Sequence, residues 1–329
     1  KGMAQAKGRL LVASWCKMKR SIWKNLVRKV KMLCRVCKGR AVISMRRHNT
    51  ALCRPHYREF FLRQVARTIQ EFDMLEPQDG VLVCVSGGKD SLVLWNVLHE
   101  LGFHTRAMHI DLGLGEYSEH SKQKVLDMAK KMSQEPVVVS LKDKGVDIVA
   151  IAKARHRPAC SVCGTAKRYY FNRTAYDEGL QVVATGHNLD DEASRLLGNL
   201  LRWQDRYLAK QSPSLPKESE RTPKKVKPLV KLTEREVAVF AFLEEMDYIL
   251  EECPHAKGAT TIAYKLLLEQ LEEKMPGTKH AFYFGFQRYI SKFSQTEELK
   301  GSLRACKVCG QDSFEEACAL CRLLGQGNS

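Results

Sequence analysis

An apolar stretch, Val81-Leu82-Val83-Cys84-Val85, runs directly into Ser86-Gly87-Gly88-Lys89-Asp90-Ser91, and LVLWNVL (92–98) follows with its apolar residues at helical spacing. A strand feeding a Gly-rich turn that opens a helix gathers backbone N–H groups and the positive end of the helix dipole around one point. Such a point binds anions, and phosphate fits it. The motif is not the G-x-x-x-x-G-K-[ST] loop. A Gly-Gly turn with no chemistry is the plain alternative, and the strand–loop–helix setting speaks against it.

The residues around this motif alternate between strand and helix signals. Strands are predicted at 80–85, 105–110, 135–141 and 181–184, and helices at 91–101, 118–132, 146–154, 166–178 and 190–202. The alternation predicts an α/β fold, a parallel sheet with helices on both faces. Upstream, Phe60, Phe61, Val65 and Ile69 give residues 57–72 the spacing of a linker helix. Downstream, residues 211–231 are rich in Ser, Pro, Lys and Glu, which predicts an exposed connection bearing the basic cluster Lys224, Lys225, Lys227 and Lys231. Helical patterns resume at 234–246, 260–273 and 279–293.

A second block, Ala184-Thr185-Gly186-His187-Asn188-Leu189-Asp190-Asp191-Glu192-Ala193, also leaves a strand and opens a helix. Carboxylates at a helix N-terminus commonly act as caps. A parallel sheet, however, brings the C-terminal ends of its strands to one crevice. Asp191 therefore reads as a pocket residue, with Asp190 and His187 second to it.

The 12 cysteines fall into sets. Cys34, Cys37, Cys53 and His56 form C-x2-C-x15-C-x2-H, and Cys306, Cys309, Cys318 and Cys321 form C-x2-C-x8-C-x2-C. Both are closed four-ligand sets of the kind structural Zn²⁺ takes, two ions in all. In a chain this long without an export signal they argue for a reducing compartment and against a disulfide framework. Cys84 lies in an apolar strand and reads as a small core residue. Cys160, Cys163 and Cys253 remain, apart from Cys16. Three thiolates suit an iron–sulfur cluster with one iron left open. A redox disulfide between Cys160 and Cys163, or a zinc site completed by Cys253 and His255, are the alternatives.

Residues 1–64 hold 18 Lys or Arg against a single acid, Glu59, whereas the other 265 residues hold 36 of each sign. The formal charge of +17 thus sits on the first fifth of the chain, as expected of a segment that meets phosphates. Residues 1–31, with ten bases and no acid before Met32, read as a basic extension. A solvated tail and an Arg-rich transit peptide are the other readings, and the short apolar run 10–13 makes a poor secretory signal. No run approaches the roughly 20 apolar residues of a membrane span, so a soluble, cytoplasmic protein is expected.

SGGKDS is the signature of the PP-loop, or N-type ATP pyrophosphatase, superfamily. In that reading Ser86, Gly88, Asp90 and Ser91 hold phosphates, Lys89 offsets their charge and Asp90 is the natural Mg²⁺ partner. The order of knuckle, SGGKDS, PACSVCG, TGHNLDDEA, KPL..L.E.E, EECP and terminal C-x-x-C pairs, over about residues 32–322, resembles the TtuA group of tRNA 2-thiouridine synthetases, which are related to wobble-uridine thiolases. The resemblance implies a [4Fe–4S] cluster on Cys160, Cys163 and Cys253 whose free iron binds hydrosulfide. It implies Lys167 and Asp191 as catalytic residues, and an ATP site lined by Ser86 to Ser91, including Gly87, with His109 and Gly186. It also implies zinc modules at both ends, tRNA as substrate, a ubiquitin-like thiocarboxylate protein as sulfur carrier, and pairing as a homodimer.

The domains expected are an N-terminal zinc finger (32–57), a PP-loop domain (58–298) and a C-terminal zinc ribbon (299–329). The reaction expected is adenylation of a uridine C2 oxygen followed by replacement with sulfur, because that oxygen leaves readily only once it is esterified to AMP. The T-loop ribothymidine is favoured over the wobble uridine as its site. A 2-thiocytidine-type thiolase, a PP-loop ligase and a non-catalytic zinc-dependent RNA-binding protein are the rival readings.

Overall fold

The computed structural model describes residues 32–255, 260–291 and 303–326. The basic stretch 1–31 lies outside the described residues. The chain divides between Phe60 and Phe61 into two compact units.

In the first unit, β1 (Ile43–Met45) and β2 (Thr50–Leu52) form an antiparallel hairpin that pairs Ile43 with Leu52. The connecting turn closes on Asn49 at φ 45° and ψ 46°, a left-handed conformation that Asn tolerates better than most residues. Ile43, Met45, Leu52 and Tyr57 are buried. Helix α1 (Arg54–Glu71) starts three residues before the predicted 57, so its first turn carries His56.

The second unit runs β3 (Gly80–Cys84), α2 (Lys89–Glu100), β4 (His104–Asp111), α3 (Glu116–Lys131), β5 (Val137–Ser140), α4 (Ile148–Ala154), α5 (Ala159–Asp177), β6 (Val182–Thr185), α6 (Leu189–Leu201), α7 (Asp205–Leu208), β7 (Ser214–Leu215), β8 (Lys224–Val226), α8 (Glu234–Leu243), α9 (Thr260–Lys274) and α10 (Thr278–Ile290). It ends with β9 (Arg304–Ala305), β10 (Asp312–Ser313) and α11 (Ala319–Leu323). The sheet order is β5-β4-β3-β6-β8-β7. All neighbours are parallel except the edge pair β7–β8. Val81, Leu82 and Val83 are each 0% exposed, so both faces of β3 are covered, as a parallel sheet requires. From β3 the chain passes to β4 on one side, and it later returns on the other side as β6. The crevice of such a fold opens at that switch, above the C-terminal ends of β3 and β6.

Two expectations need correction. Residues 211–231 are not simply an exposed connection, because they supply β7 and β8. Lys227 pairs at 2.7 Å with Glu192, whose side chain is fully buried, and Lys231 pairs with Glu71. Val226 is the only apolar residue of β8, which leaves a period-two pattern nothing to register. Helix α5 begins at Ala159 instead of 166, with Pro158 as its N-cap residue at φ −58°. Proline's fixed φ suits a helix start. Cys160 and Cys163 therefore lie on the first turns of α5 and not in a loop before it.

One face of the sheet, with Leu82, Cys84, Met108 and Ile110, packs on Val162, Ala166 and Tyr170 of α5. The same core includes Leu320, Cys321 and Leu323 of the C-terminal segment. Arg155 Nε donates to Leu323 O at 3.1 Å, and Gln311 Nε2 donates to Arg221 O at 2.7 Å. The C-terminal ribbon is thereby seated on the helix that carries Cys160, Cys163 and Lys167.

Candidate active site

The phosphate-loop geometry begins at Gly87, which sits at φ 78°; a Cβ there would lie 2.5 Å from Ser121 O. Only glycine fits. Ser121 Oγ donates to Ser86 O at 2.6 Å and Ile249 N–H to Gly87 O at 3.0 Å, which ties the loop carbonyls away from the crevice. Ser86 N–H donates to Ser91 Oγ at 3.0 Å, and Ser91 Oγ donates to Gly88 O at 2.9 Å. Gly88 is the N-cap of α2 and offers no side-chain cap. The first N–H groups of a helix have no partner within it, so this end suits an anion.

Around that helix start, charged groups close into a ring. Lys89 Nζ donates to Asp90 Oδ2 at 2.9 Å and to Glu234 Oε1 at 3.2 Å. Lys265 Nζ reaches Glu234 Oε2 at 3.1 Å and Asp191 Oδ1 at 2.5 Å. Asp191 Oδ2 accepts from Asn188 N–H at 3.1 Å, and Asn188 Nδ2 donates to Asp90 Oδ1 at 3.1 Å. Burial alone would push Glu234 up, but Lys89 and Lys265 hold it down at about 2. Burial, with Asp191 and Glu234 nearby, raises Asp90 despite Lys89. Lys265 is raised against its own burial by Asp191 and Glu234. Asp190 lies behind the ring, where it accepts from Glu234 N–H at 2.7 Å and pairs with the buried Lys279. It organises helix ends, whereas Asp191 belongs to the ring. Glu234 falls within the KPL..L.E.E pattern of the sequence, but nothing in the sequence points to Lys265 or Lys279.

Gly186 explains how the second block reaches the first. A Cβ on it would lie 2.8 Å from the Asp90 carbonyl carbon and 2.9 Å from Ser91 Cα. The two loops touch backbone to backbone.

A pocket beside the phosphate loop is lined by Ser86, His109, Tyr117, Ser121, Lys167 and Phe171. His109 is buried and its Nδ1 lies 2.9 Å from Val85 O. A carbonyl can only accept, so the proton sits on Nδ1 and the buried, unpartnered Nε2 is an acceptor. Burial lowers its pKa further, keeping the ring neutral. His187 is likewise neutral, lowered to about 4 by burial and by Arg195.

Lys167 also approaches Cys163, whose thiol burial pushes up while Lys167 opposes the shift. Cys160 and Cys253 act on the same thiol, and Cys160 Sγ lies 3.4 Å from His255 O, two residues beyond Cys253. The three cysteines therefore gather next to the pocket. They do not form a tight set of the kind a single ion needs, since the two such sets among the described residues are elsewhere. A cluster spreads its thiolates over separate irons, and three thiolate donors are the chemistry it takes.

Those two tight sets are Cys34, Cys37, Cys53 and His56, and Cys306, Cys309, Cys318 and Cys321, each with all ligand atoms within 4.8 Å of one another. The sulfur–sulfur separations are 3.6 Å for Cys37 and Cys53 and 3.7 Å for Cys309 and Cys318. Tetrahedral zinc with bonds of about 2.3 Å sets its sulfurs about 3.8 Å apart. Both sets fit Zn²⁺, with His56 presenting Nδ1, 3.1 Å from Cys53 Sγ.

Comparison with known proteins agrees with this geometry. The PP-loop domain model matches residues 59–256, and the model of the 2-thiouridine synthetase TtuA N-terminal LIM domain matches residues 33–58. The chain is 44% identical to the tRNA-5-methyluridine(54) 2-sulfurtransferase of Thermus thermophilus, across 89% of this chain and 91% of that protein. It is 42% identical to the enzyme of the same name from Pyrococcus horikoshii, across 89% and 94%. The structure of the U34-tRNA thiolase NcsA from Methanococcus maripaludis with its [4Fe-4S] cluster superposes with a TM-score of 0.76 at 27% identity, covering 90% of this chain and 96% of that one. With such identity along nearly the whole of each relative, and with the LIM and PP-loop models in succession, the chain belongs to the TtuA family of PP-loop sulfurtransferases.

Proposed function

We propose that the chain uses ATP to replace the C2 oxygen of a tRNA uridine with sulfur, and that this uridine is the T-loop ribothymidine. The observation that carries the proposal is the juxtaposition of an uncapped α2 N-terminus, a pocket holding His109 and Lys167, and three cysteines gathered beside that pocket. The site of modification follows the names of the relatives at 44% and 42% identity. The wobble-uridine thiolase is the more distant match, at 27%.

In this reading the ATP phosphates lie against the N–H groups of Gly87, Gly88 and the first turn of α2. Lys89 turns from Asp90 and Glu234 toward the departing pyrophosphate, whose charge it stabilises. Asp90 would hold Mg²⁺, a hard cation that prefers carboxylate oxygen. His109 Nε2 accepts a hydrogen bond from the nucleotide. Lys167, from the pocket, and Asp191, from the ring, neutralise the developing charge and move a proton. Cys160, Cys163 and Cys253 would hold a [4Fe–4S] cluster, which when bound supplies the sulfur for the exchange. Cys34, Cys37, Cys53 and His56 at one end and Cys306, Cys309, Cys318 and Cys321 at the other would hold Zn²⁺, and the ribbons they fix contact RNA through phosphates and shape. The sulfur carrier is a ubiquitin-like thiocarboxylate protein, the chain works as a homodimer, and the setting is cytoplasmic; no helix among the described residues is long and apolar enough to cross a membrane.

Thionucleoside mass spectrometry of tRNA from a strain lacking this protein tests the proposal, with loss of the 2-thio form of T-loop ribothymidine expected. A strain that keeps it and loses only wobble 2-thiouridine would reassign the site. In vitro, Asp90→Ala should abolish AMP formation and keep tRNA binding, and normal turnover in that variant would reject the nucleotide chemistry.

A further inference from the structure

The turn after α6 carries side chains that the crevice does not use. Trp203 is 80% exposed and Tyr207 66%, and Arg202 and Arg206, interleaved with them, are exposed as well. Trp203 is also held at φ 48°, in the left-handed region that disfavours a bulky side chain. An aromatic of this size that is strained and mostly in water is not there to fill a core.

Two further arginines, Arg168 and Arg195, stand on α5 and α6. Arg168 follows Lys167 on α5 and donates Nη2 to Thr165 Oγ1 at 3.3 Å. Burial lowers its pKa, with Tyr207 opposing that shift and Arg195 adding to it. Arg195 lies two turns before Arg202 along α6 and therefore near its face; its Nη2 donates to His187 Nε2 at 3.3 Å and its Nη1 to Glu192 at 3.1 Å. Among the described residues Arg168, Arg202 and Arg206 have no carboxylate partner. Cations left unpaired around exposed rings ask for an anion with flat, apolar faces.

We propose that Trp203 and Tyr207, with Arg202 and Arg206 interleaved and Arg195 on the same face of α6, form a stacking platform for unpaired nucleotides of the tRNA. The platform rests on the reading of the chain as a tRNA thiolase, and it identifies a contact surface apart from the basic chain end and the zinc ribbons. RNA is recognised chiefly where bases are unstacked and can lie on aromatic rings or guanidinium planes. Arg195 links this face of α6 to the second site block, since its Nη2 donates to His187 Nε2. A uridine displaced from its own stack would leave flanking bases for these rings to receive.

The test uses the full chain and unmodified tRNA, with affinity measured by fluorescence anisotropy across a salt series and ATP binding measured in parallel. Trp203→Ala and Tyr207→Ala should each weaken tRNA binding roughly 5- to 150-fold without changing the salt slope. Trp203→Phe should restore most of the affinity. Arg202→Gln and Arg206→Gln should each lower the slope by roughly 0.7 to 0.9. ATP binding should stay at the wild-type level in all of them, which shows that the variants are folded. Unchanged tRNA affinity in both alanine variants, with wild-type protein binding tRNA, overturns the platform and leaves the thiolase reading intact. The platform falls equally if those variants lose only the binding of a protein sulfur donor. Wild-type protein that binds no tRNA overturns both.

Discussion

Gly186→Ala tests how closely the two site blocks must approach. The new Cβ would stand 2.8 Å from the Asp90 carbonyl carbon, 2.9 Å from its oxygen and 2.9 Å from Ser91 Cα. Carbon atoms pack at about 3.5–4.0 Å, so the loops must part by roughly 1 Å. None of the three atoms belongs to a side chain that could rotate away; all are backbone of the first turn of α2. Overpacking of this kind costs about 1–3 kcal/mol, which for a unit of this size lowers Tm by roughly 5 °C. The effect on catalysis should be larger, because a shift of about 1 Å between the phosphate loop and Asp191 costs on the order of 100-fold in rate. Thermal unfolding and single-turnover AMP formation measure the two effects. Gly198→Ala is the control, since its Cβ meets only the Tyr264 ring, 2.9 Å away at its closest atom, and a ring can turn. If Gly186→Ala kept wild-type Tm and rate, the close approach would not be what the glycine provides.

Two further predictions concern charge and metal. Glu234 is held at about 2 against an ordinary 4.5, so it stabilises the fold above pH 4.5 and that contribution disappears as pH falls toward 2. A shift of that size corresponds to at most about 3 kcal/mol, reduced by screening at a partly exposed site. Glu234→Gln should therefore unfold more easily at pH 7 and lose this share of the acid-side slope, which urea titrations at pH 7, 4 and 3 would reveal; parallel curves for variant and wild type would contradict it. Anaerobically purified protein should carry two zincs and about four irons per chain. Cys160→Ala, Cys163→Ala and Cys253→Ala should each lose iron and keep both zincs by elemental analysis, whereas Cys309→Ser should lose one zinc and lower Tm, because its ribbon shares the core of α5. Full iron in Cys253→Ala would remove that residue from the ligand set.

Much of the site was legible because its chemistry is local. Ser86 to Ser91 form one strand–loop–helix turn, and each tight four-ligand set draws its residues from a single short module. Residues further apart were not legible. Lys265 joins Asp191 from a helix whose sequence reads simply as helix, and an ordinary surface lysine looks the same. Lys227 reads in the sequence as part of an exposed basic cluster, yet it neutralises Glu192 in the interior. The start of α5 is predicted too late because Pro158, Cys160 and Gly164 look like a loop, whereas proline suits a first helical turn and packing of Val162 and Ala166 on the sheet holds the helix in place.

The phosphate loop, the parallel α/β architecture and the two terminal four-ligand sets could be read from the sequence, since each depends on backbone geometry or ligand spacing within a few tens of residues. Which carboxylates and lysines close the ring, that Gly186 serves loop contact, and that Trp203 faces solvent came from the folded chain alone. Those features arise where elements distant in sequence meet. There the energy of a charge or an aromatic ring is set by the neighbours that folding brings to it, and the residue's own sequence context does not contain them.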